Sequence, residues 1–317
     1  MRPATARERA AVAECLRSGW LTMGPRTLAL EETFASWAGV PHVVAAGSGS
    51  AALHLALLGL RVGAGDEVVV PAYAPPAVAE APRWCGARTV FADVVSAASP
   101  VLDAAAVEIT PRTRAVVVVH PYGHRAPVAD LAVPVVEVGA LLGGLTGDAA
   151  VADLGDWVGQ GGVVLARDEG VAARARSLRA HALTSGTWDR HRGHAAGYDV
   201  VDIGFNFRID EMRAALATER LQTARPELAG AVEAAARADV PGERAAGVLF
   251  ADRPARDAAA ASLAARGLRC ETPAALVDLP RAREAGDRLL WVEPGALDDR
   301  LPDRAADARS RQAPGLR

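Results

Sequence analysis

The chain has 317 residues, 38 of them acidic and 35 basic, which gives a formal net charge of −3 at pH 7. Lysine appears nowhere in the sequence, so all 35 basic residues counted as Lys+Arg are arginines. This composition excludes reactions that need a lysine of the chain, such as Schiff-base formation. It also shows no excess of positive charge of the kind that nucleic-acid-binding proteins carry.

The cysteines and the N-terminal residues indicate the compartment. The 3 cysteines are scattered and form no CxxC pair, which argues against a disulfide framework or a zinc site. The first residues lack the apolar stretch of a signal peptide, and no run of about 18 apolar residues is found. We therefore expect a cytoplasmic protein that binds no metal, no nucleic acid and no membrane.

Short β-branched runs alternate with Ala- and Leu-rich stretches through the first two-thirds of the chain. The predicted strands cover residues 42–46, 67–70, 87–91, 115–119, 134–138 and 162–166. A helix is predicted over residues 51–60, where Leu53, Leu57 and Leu60 share one face. This alternation predicts an α/β fold with a mainly parallel sheet and helices on both sides.

The last third of the chain changes in character. A helix from about Arg208 to Leu221 closes a predicted large domain of residues 1–221. Residues 222–299 are predicted to form a smaller α+β domain, with a strand over 246–250 and a helix over 256–266 that Gly267 ends. Residues 300–317 have almost no large apolar side chains and are predicted to be disordered.

A glycine- and serine-rich turn follows the first predicted strand. It reads Gly47-Ser48-Gly49-Ser50 and precedes the predicted helix. Backbone N–H groups and the positive end of a helix dipole bind phosphate, so the turn is a candidate phosphate site. The alternative is a tight turn in which Ser48 or Ser50 is only the helix N-cap.

A second loop, His120-Pro121-Tyr122-Gly123-His124, follows a predicted buried strand. The two histidines are four residues apart, but Pro121 and Gly123 prevent a regular helix, so a metal site is the less favoured interpretation. The loop lies at a strand's C-terminal end, where α/β sheets bind ligands.

Several motifs occur in the same order as in one family. They are SGWLTMGP at 18–25, SGSAALHLAL at 48–57, GDEVVVPAY at 65–73, TPRTR at 110–114, HPYG at 120–123 and GFNFRIDE at 204–211. Over roughly residues 10–225 the chain resembles the DegT/StrS sugar aminotransferases, which are pyridoxal-phosphate enzymes. The resemblance implies fold type I with a shortened C-terminal domain, and a homodimer with its ligand pocket at the subunit interface. It also implies amino transfer from glutamate to a nucleotide-linked keto sugar.

The residues that handle the cofactor ring in that family do not match. The aspartate expected against the pyridine nitrogen corresponds to Val138, the glutamine three residues later to Leu141, and the ring-stacking aromatic to Pro75. The segment expected to carry the cofactor lysine is shortened to ADLGDWVGQGG at residues 152–162. The resemblance therefore implies a divergent member that lacks the cofactor lysine.

The residues that the family uses at the phosphate end do match. Ser48, Gly49 and Ser50 stand at the predicted helix start. Asn206 and Arg208 correspond to positions that the family directs toward the cofactor phosphate, often from the neighbouring subunit. We therefore expect a pocket that binds an anion.

These matches and mismatches favour a catalytically silent protein. We expect a homologue or partner subunit in sugar-nucleotide or secondary-metabolite (antibiotic) biosynthesis, paired with itself or with an active aminotransferase paralogue. We expect no cofactor, with non-covalent pyridoxal phosphate as the less favoured alternative.

Two other functions remain open at this point. One is a cofactor-independent isomerase, dehydratase or cyclase acting on a phosphorylated or nucleotide-linked small molecule. Its candidate acid and base groups, all near predicted strand ends, are Glu137, Tyr73, His120 and Asp153. The other is a sensor that binds a sugar nucleotide without chemistry.

Overall fold

The computed structural model describes residues 3–128, 131–139, 145–222, 246–266 and 268–292. Predictions that concern Leu141, Gly267 and the tail 300–317 lie outside these residues.

The helices are distributed along the whole described chain. They are α1 (Ala6–Ser18), α2 (Pro25–Ala38), α3 (Gly49–Gly59), α4 (Pro76–Trp84), α5 (Gly155–Val158), α6 (Glu169–Arg179), α7 (Thr187–His191), α8 (described over 211–222), α9 (Arg253–Ala265) and α10 (Pro280–Arg288). Within the described part of the chain, none of them is both long and apolar enough to cross a membrane.

The strands form one large sheet and two small ones. They are β1 (His42–Ala46), β2 (Glu67–Pro71), β3 (Arg88–Ala92), β4 (Val94–Ser96), β5 (Ser99–Leu102), β6 (Thr113–Val119), β7 (Val135–Val138), β8 (Ala149–Asp153), β9 (Gly162–Ala166), β10 (Ala246–Leu249), β11 (Cys270–Glu271) and β12 (Leu289–Val292). All six strands predicted for the first two-thirds are present, with small shifts at their ends.

The large sheet has seven strands in the order β1-β9-β8-β7-β6-β2-β3. The neighbours from β8 through β7, β6 and β2 to β3 run parallel, whereas β9 is antiparallel to both β8 and β1. The mainly parallel α/β fold is therefore confirmed. Strand β9 lies between two antiparallel partners and is buried along its whole length, which explains its continuous apolar sequence.

One strand of the large sheet was missed by the sequence patterns. Strand β8 reads Ala-Ala-Val-Ala-Asp, and alanine has a low strand propensity. It forms because β7 and β9 pair with it on either side and supply the hydrogen bonds of its backbone.

Helices cover both faces of the sheet, as predicted. Helix α3 packs with α4 and α6 on one face, and every residue from Ala51 to Leu57 is buried there. Helix α2 packs on the other face, where Leu30 and Phe34 contact the second apolar cluster. Leu60, predicted to end the helix, is instead the residue that caps α3.

The described C-terminal part forms a separate small sheet. Its order is β10-β12-β11, all antiparallel; α9 packs against it, and α10 packs against α9 and β4. This arrangement agrees with the predicted α+β unit. Trp291 on β12 donates its indole N–H to the hydroxyl oxygen of Tyr73 at 3.0 Å, so the small sheet is joined to the end of β2.

The GDE and TPRTR motifs meet at the opposite end of the sheet from the strands' C-termini. The Glu67 carboxylate accepts hydrogen bonds from Arg88 at 2.7 Å, Arg112 at 2.6 Å and Thr110 at 3.0 Å. The Arg88 and Arg112 guanidinium groups lower the pKa of Glu67 to about 2. These motifs therefore tie β2, β3 and β6 together.

Candidate phosphate site at the start of helix α3

The turn after β1 has free hydrogen-bond donors at the start of α3. Ser48 is the N-cap, because its hydroxyl accepts from the Ala51 N–H at 3.1 Å, and it also lies 3.0 Å from the Ser50 hydroxyl. The N–H groups of Gly49 and Ser50 donate to no atom of the described residues. The capping interpretation is thus confirmed, and the donors that an anion needs are still available.

The turn is held close to the GFNFRIDE segment and to β9. The Gly47 N–H donates to the Phe207 carbonyl at 2.8 Å, and a Cβ at Gly47 would lie 3.2 Å from the Arg208 carbonyl oxygen. A Cβ at Gly162 would lie 2.5 Å from the Ser48 carbonyl oxygen. Gly162 is therefore required here because two backbones approach each other closely, and a side chain at Gly47 would also be crowded.

Arg208 is half-buried, and its backbone carbonyl lies beside this turn. It has no carboxylate partner among the residues that the structure describes. Burial lowers its pKa, and the nearby Arg179 guanidinium lowers it further. The charge of Arg179 is balanced by Glu31. A bound anion would therefore pair with Arg208 and not with Arg179. Asn206, in contrast, is exposed, and its backbone bridges to Ala180.

Asp153 brings a carboxylate to the same helix start. It is the last residue of β8, is exposed, and accepts the Gly155 N–H at 2.6 Å through Oδ1. A Cβ placed on Gly49 would collide with this side chain, lying 2.8 Å from its Cγ. The carboxylate therefore rests directly against the first residue of α3.

His120 and Glu137 form a buried pair at the ends of β6 and β7. His120 Nε2 lies 3.0 Å from Glu137 Oε2, and His120 Nδ1 accepts from the Ala126 N–H at 3.0 Å, which assigns the proton to Nε2. Glu137 Oε1 accepts from the N–H groups of Thr146 and Gly147, each at 2.6 Å. Burial opposes ionisation of Glu137, but these hydrogen bonds keep its pKa below the usual value.

The four candidate acid and base groups do not converge on one point. His120 and Glu137 bond each other, Asp153 contacts Gly49, and the Tyr73 hydroxyl is bonded to Trp291 in another cluster. Burial raises the pKa of Tyr73 well above its ordinary value. Their catalytic roles stay predictions.

The positions expected to contact a cofactor ring carry apolar groups. Val138 ends β7 and packs on the cluster around α3, and Pro75 is exposed at the start of α4. Among the described residues, no three His, Cys, Asp or Glu side chains are grouped to hold a metal ion.

One cavity of the structure was not predicted from the sequence. It measures about 440 Å³ and lies between α1, α2, α7 and the start of α8. Trp20 and Trp188, whose ring centroids are 4.8 Å apart, form its aromatic wall. No local pattern indicates this contact, because α7 approaches α1 only through the tertiary fold.

A known family model matches most of the chain. It is described as the DegT/DnrJ/EryC1/StrS aminotransferase family and matches residues 3–139 and 157–264. The matched stretches leave out residues 140–156, which contain β8 and Asp153.

Solved structures agree with this match over nearly the whole length. The aminotransferase TlmJ from Streptoalloteichus hindustanus is 27% identical with a TM-score of 0.79, covering 97% of this chain and 96% of its own. DesV from S. venezuelae, solved with a ketimine intermediate, is 27% identical with a TM-score of 0.75, covering 98% and 95%. The putative sugar aminotransferase Spr1654 from Streptococcus pneumoniae, in its PMP form, is 20% identical with a TM-score of 0.78, covering 94% of each chain.

These findings correct the expectation that no cofactor binds. Spr1654 is solved in PLP and PMP forms, which points to pyridoxal phosphate rather than to no cofactor. The expectation was wrong because it rested on the absent lysine, whereas phosphate binding depends on the N–H groups of a helix start.

The residues of this chain fit the cofactor in part. Its phosphate group suits the N–H donors of Gly49 and Ser50 and the positive charge of Arg208. Its ring is not matched in the same way, because the chain has no lysine and the residue expected against the pyridine nitrogen is the uncharged Val138. Fold, motif order and sequence match over more than half the length agree on one assignment. The chain belongs to the DegT/DnrJ/EryC1/StrS aminotransferase family.

Proposed function

We propose that this chain binds pyridoxal phosphate non-covalently through its phosphate group and takes part in sugar biosynthesis without being a transaminase itself. The observation that carries the proposal is a phosphate site with unused donors in a chain without lysine. The sugar-biosynthesis role is supported by relatives such as Spr1654, described as a putative sugar aminotransferase.

Each residue at the helix start has a defined role in this proposal. The N–H groups of Gly49 and Ser50 donate to phosphate oxygens, and the α3 dipole stabilises their charge. The Arg208 guanidinium supplies a full positive charge that is already partly desolvated. When bound, the cofactor contributes an aldehyde and an electron-withdrawing ring.

The same chain lacks the groups that would use that chemistry. A guanidinium stays protonated in proteins, so none of the arginines replaces lysine as a nucleophile or base. His120 and Glu137, two of the four candidate acid and base groups, are buried and bonded to each other and to backbone N–H groups, so this pair is not free to move a proton on a ligand. We therefore propose a silent homologue.

Equilibrium dialysis with pyridoxal 5′-phosphate, read by absorbance, tests this proposal. We expect binding that is fully removed by dialysis, and no amino transfer from glutamate to a nucleotide-linked keto sugar. Arg208→Gln should weaken binding about tenfold, or roughly 1.4 kcal/mol, because a charge-assisted contact is lost.

The matched control is Arg213→Gln, which removes an exposed cation paired with Asp210 on α8. It should leave the affinity unchanged. Absence of a bound chromophore at millimolar cofactor would overturn the binding proposal, and measurable amino transfer would overturn the silent role.

We also propose that a second copy of the chain covers the loop over residues 198–203. This loop exposes large apolar side chains: Tyr198 is 56% exposed, Val200 64%, Val201 65% and Ile203 85%. Such a patch is unfavourable in water unless a partner buries it. It directly precedes Asn206 and Arg208, which is consistent with the resemblance that places those residues at a shared interface.

Native mass spectrometry of the purified chain should give the mass of a dimer. Val200→Asp combined with Ile203→Asp should give a monomer that retains its circular dichroism spectrum, because the altered side chains are exposed. Val95→Asp, at another exposed apolar residue, is the control and should remain dimeric. A monomeric wild type that pairs only with a co-expressed paralogue would contradict the homodimer.

A further inference from the structure

The candidate phosphate site contains an acidic side chain, that of Asp153, which would lie close to a bound phosphate group. The Asp153 carboxylate rests against Gly49, the first residue of α3, whose N–H group has no partner in the described chain. Among the residues that the structure describes, Asp153 is bonded through Oδ1 alone, which accepts the Gly155 N–H at 2.6 Å. The second oxygen, Oδ2, is the atom that a Cβ placed on Gly49 would meet first.

The position of this carboxylate has a simple electrostatic consequence. The positive end of α3 attracts any anion, and Asp153 already supplies one. A phosphate at the same N–H groups would approach within a few ångströms of a like charge, and the repulsion between the two charges would oppose its binding. The Asp153 carboxylate and a phosphate ligand would therefore compete for the same positive potential at the N-terminus of α3.

The fold fixes Asp153 in this place through its backbone. Asp153 pairs with Gly162 across β8 and β9, and Gly162 in turn pairs with Ala46 at the end of β1. A Cβ at Gly162 would lie 2.8 Å from the Gly49 Cα, so β9 presses directly on the helix start. The backbone of Asp153 is accordingly fixed beside the start of α3, and its exposed side chain lies against Gly49.

We propose that Asp153 is the residue that sets the affinity of this site for phosphate groups, by acting as a built-in competitor at the α3 N-terminus. The inference rests on the proposed phosphate-binding function and refines it. Asp153 lies within residues 140–156, which the matched stretches of the family model leave out. The chain would bind phosphorylated ligands weakly and release them readily.

The test compares wild type with Asp153→Asn in equilibrium dialysis against pyridoxal 5′-phosphate, and against inorganic phosphate by competition. Asparagine has nearly the same size, and its carbonyl oxygen still accepts the Gly155 N–H; the substitution removes the charge and puts an NH2 group in place of one carboxylate oxygen. We expect the dissociation constant for both phosphate ligands to fall about tenfold or more, while that for pyridoxal, which has no phosphate, stays unchanged. Asp156→Asn, an exposed acid three residues along the chain, is the control and should change none of these constants.

The possible outcomes separate this inference from the proposed function. Equal phosphate affinity in wild type and Asp153→Asn, with both binding, would overturn the role of Asp153 and leave the phosphate site standing. Binding by Asp153→Asn alone would support the role of Asp153 and overturn cofactor binding by the wild type. Binding by neither protein would overturn both.

Discussion

Replacing Glu211 with alanine is expected to destabilise the protein by about 3–5 kcal/mol, because buried donors would be left without an acceptor. Glu211 is 1% exposed at the start of α8. Its carboxylate accepts from the N–H groups of Gly24 at 2.9 Å, Arg26 at 2.7 Å and Thr27 at 2.9 Å, and from the Thr27 hydroxyl at 2.8 Å. The N-cap residue of α2, Gly24, offers no side chain to accept these N–H groups. The Glu211 carboxylate, which is 187 residues away from Gly24 in the sequence, caps the helix instead.

Urea unfolding followed by circular dichroism measures this loss as a lower transition midpoint. Glu211→Gln should lose less than Glu211→Ala, since one amide oxygen still accepts some of these bonds. The control is Glu14→Ala, which removes a half-exposed acid paired with Arg26 and should cost under about 1 kcal/mol. Equal midpoints for Glu211→Ala and Glu14→Ala would show that the cap is not needed.

Arg179→Met is expected to cost about 3–5 kcal/mol, because it leaves the Glu31 charge buried without its main partner. The Arg179 guanidinium contacts Glu31 and also donates to the Ala45 carbonyl at 2.7 Å. Both side chains are nearly inaccessible, at 3% and 8% exposure. Arg176 reaches Glu31 only at 3.8 Å, so it replaces the lost charge poorly.

A double-mutant cycle with Glu31→Leu isolates the pair energy. The double variant should recover part of the stability lost in Arg179→Met, since no charge is then left unpaired. Recovery is incomplete because the Ala45 N–H, which Glu31 accepts at 2.9 Å, loses its partner. Arg213→Met, at an exposed ion pair on α8, serves as the surface control. Additive losses in the cycle would contradict a coupled buried pair.

Much of the fold could be predicted from local patterns. Strands β2, β6 and β9 contain continuous apolar runs bounded by polar or turn residues, and the structure buries each of these runs. The Ser48 N-cap was also predictable, because its type and position are typical of helix starts. Strand β8 was not, since its alanines carry no strand signal and its neighbours decide its conformation.

The candidate site was predicted less completely than the fold. The resemblance placed Ser48, Gly49, Ser50 and Arg208 near one anion, and the structure does bring the Arg208 backbone to Gly47. Asp153 was interpreted as an acid or base, because strand-end position alone says nothing about what a carboxylate touches. The buried Arg179–Glu31 pair went unrecognised, because the two residues are 148 positions apart in the chain.

The sequence by itself determined the α/β alternation, the order of the family motifs and the absence of any lysine amine. These properties reside in residue identity and short-range spacing, which need no folded chain. Only the tertiary structure decided that Glu211 caps α2, that Arg208 has no carboxylate partner in the described chain, and that Asp153 lies against α3. Each depends on distant segments meeting across the sheet, and the free energy of such contacts comes from burial and hydrogen bonding that no local pattern records.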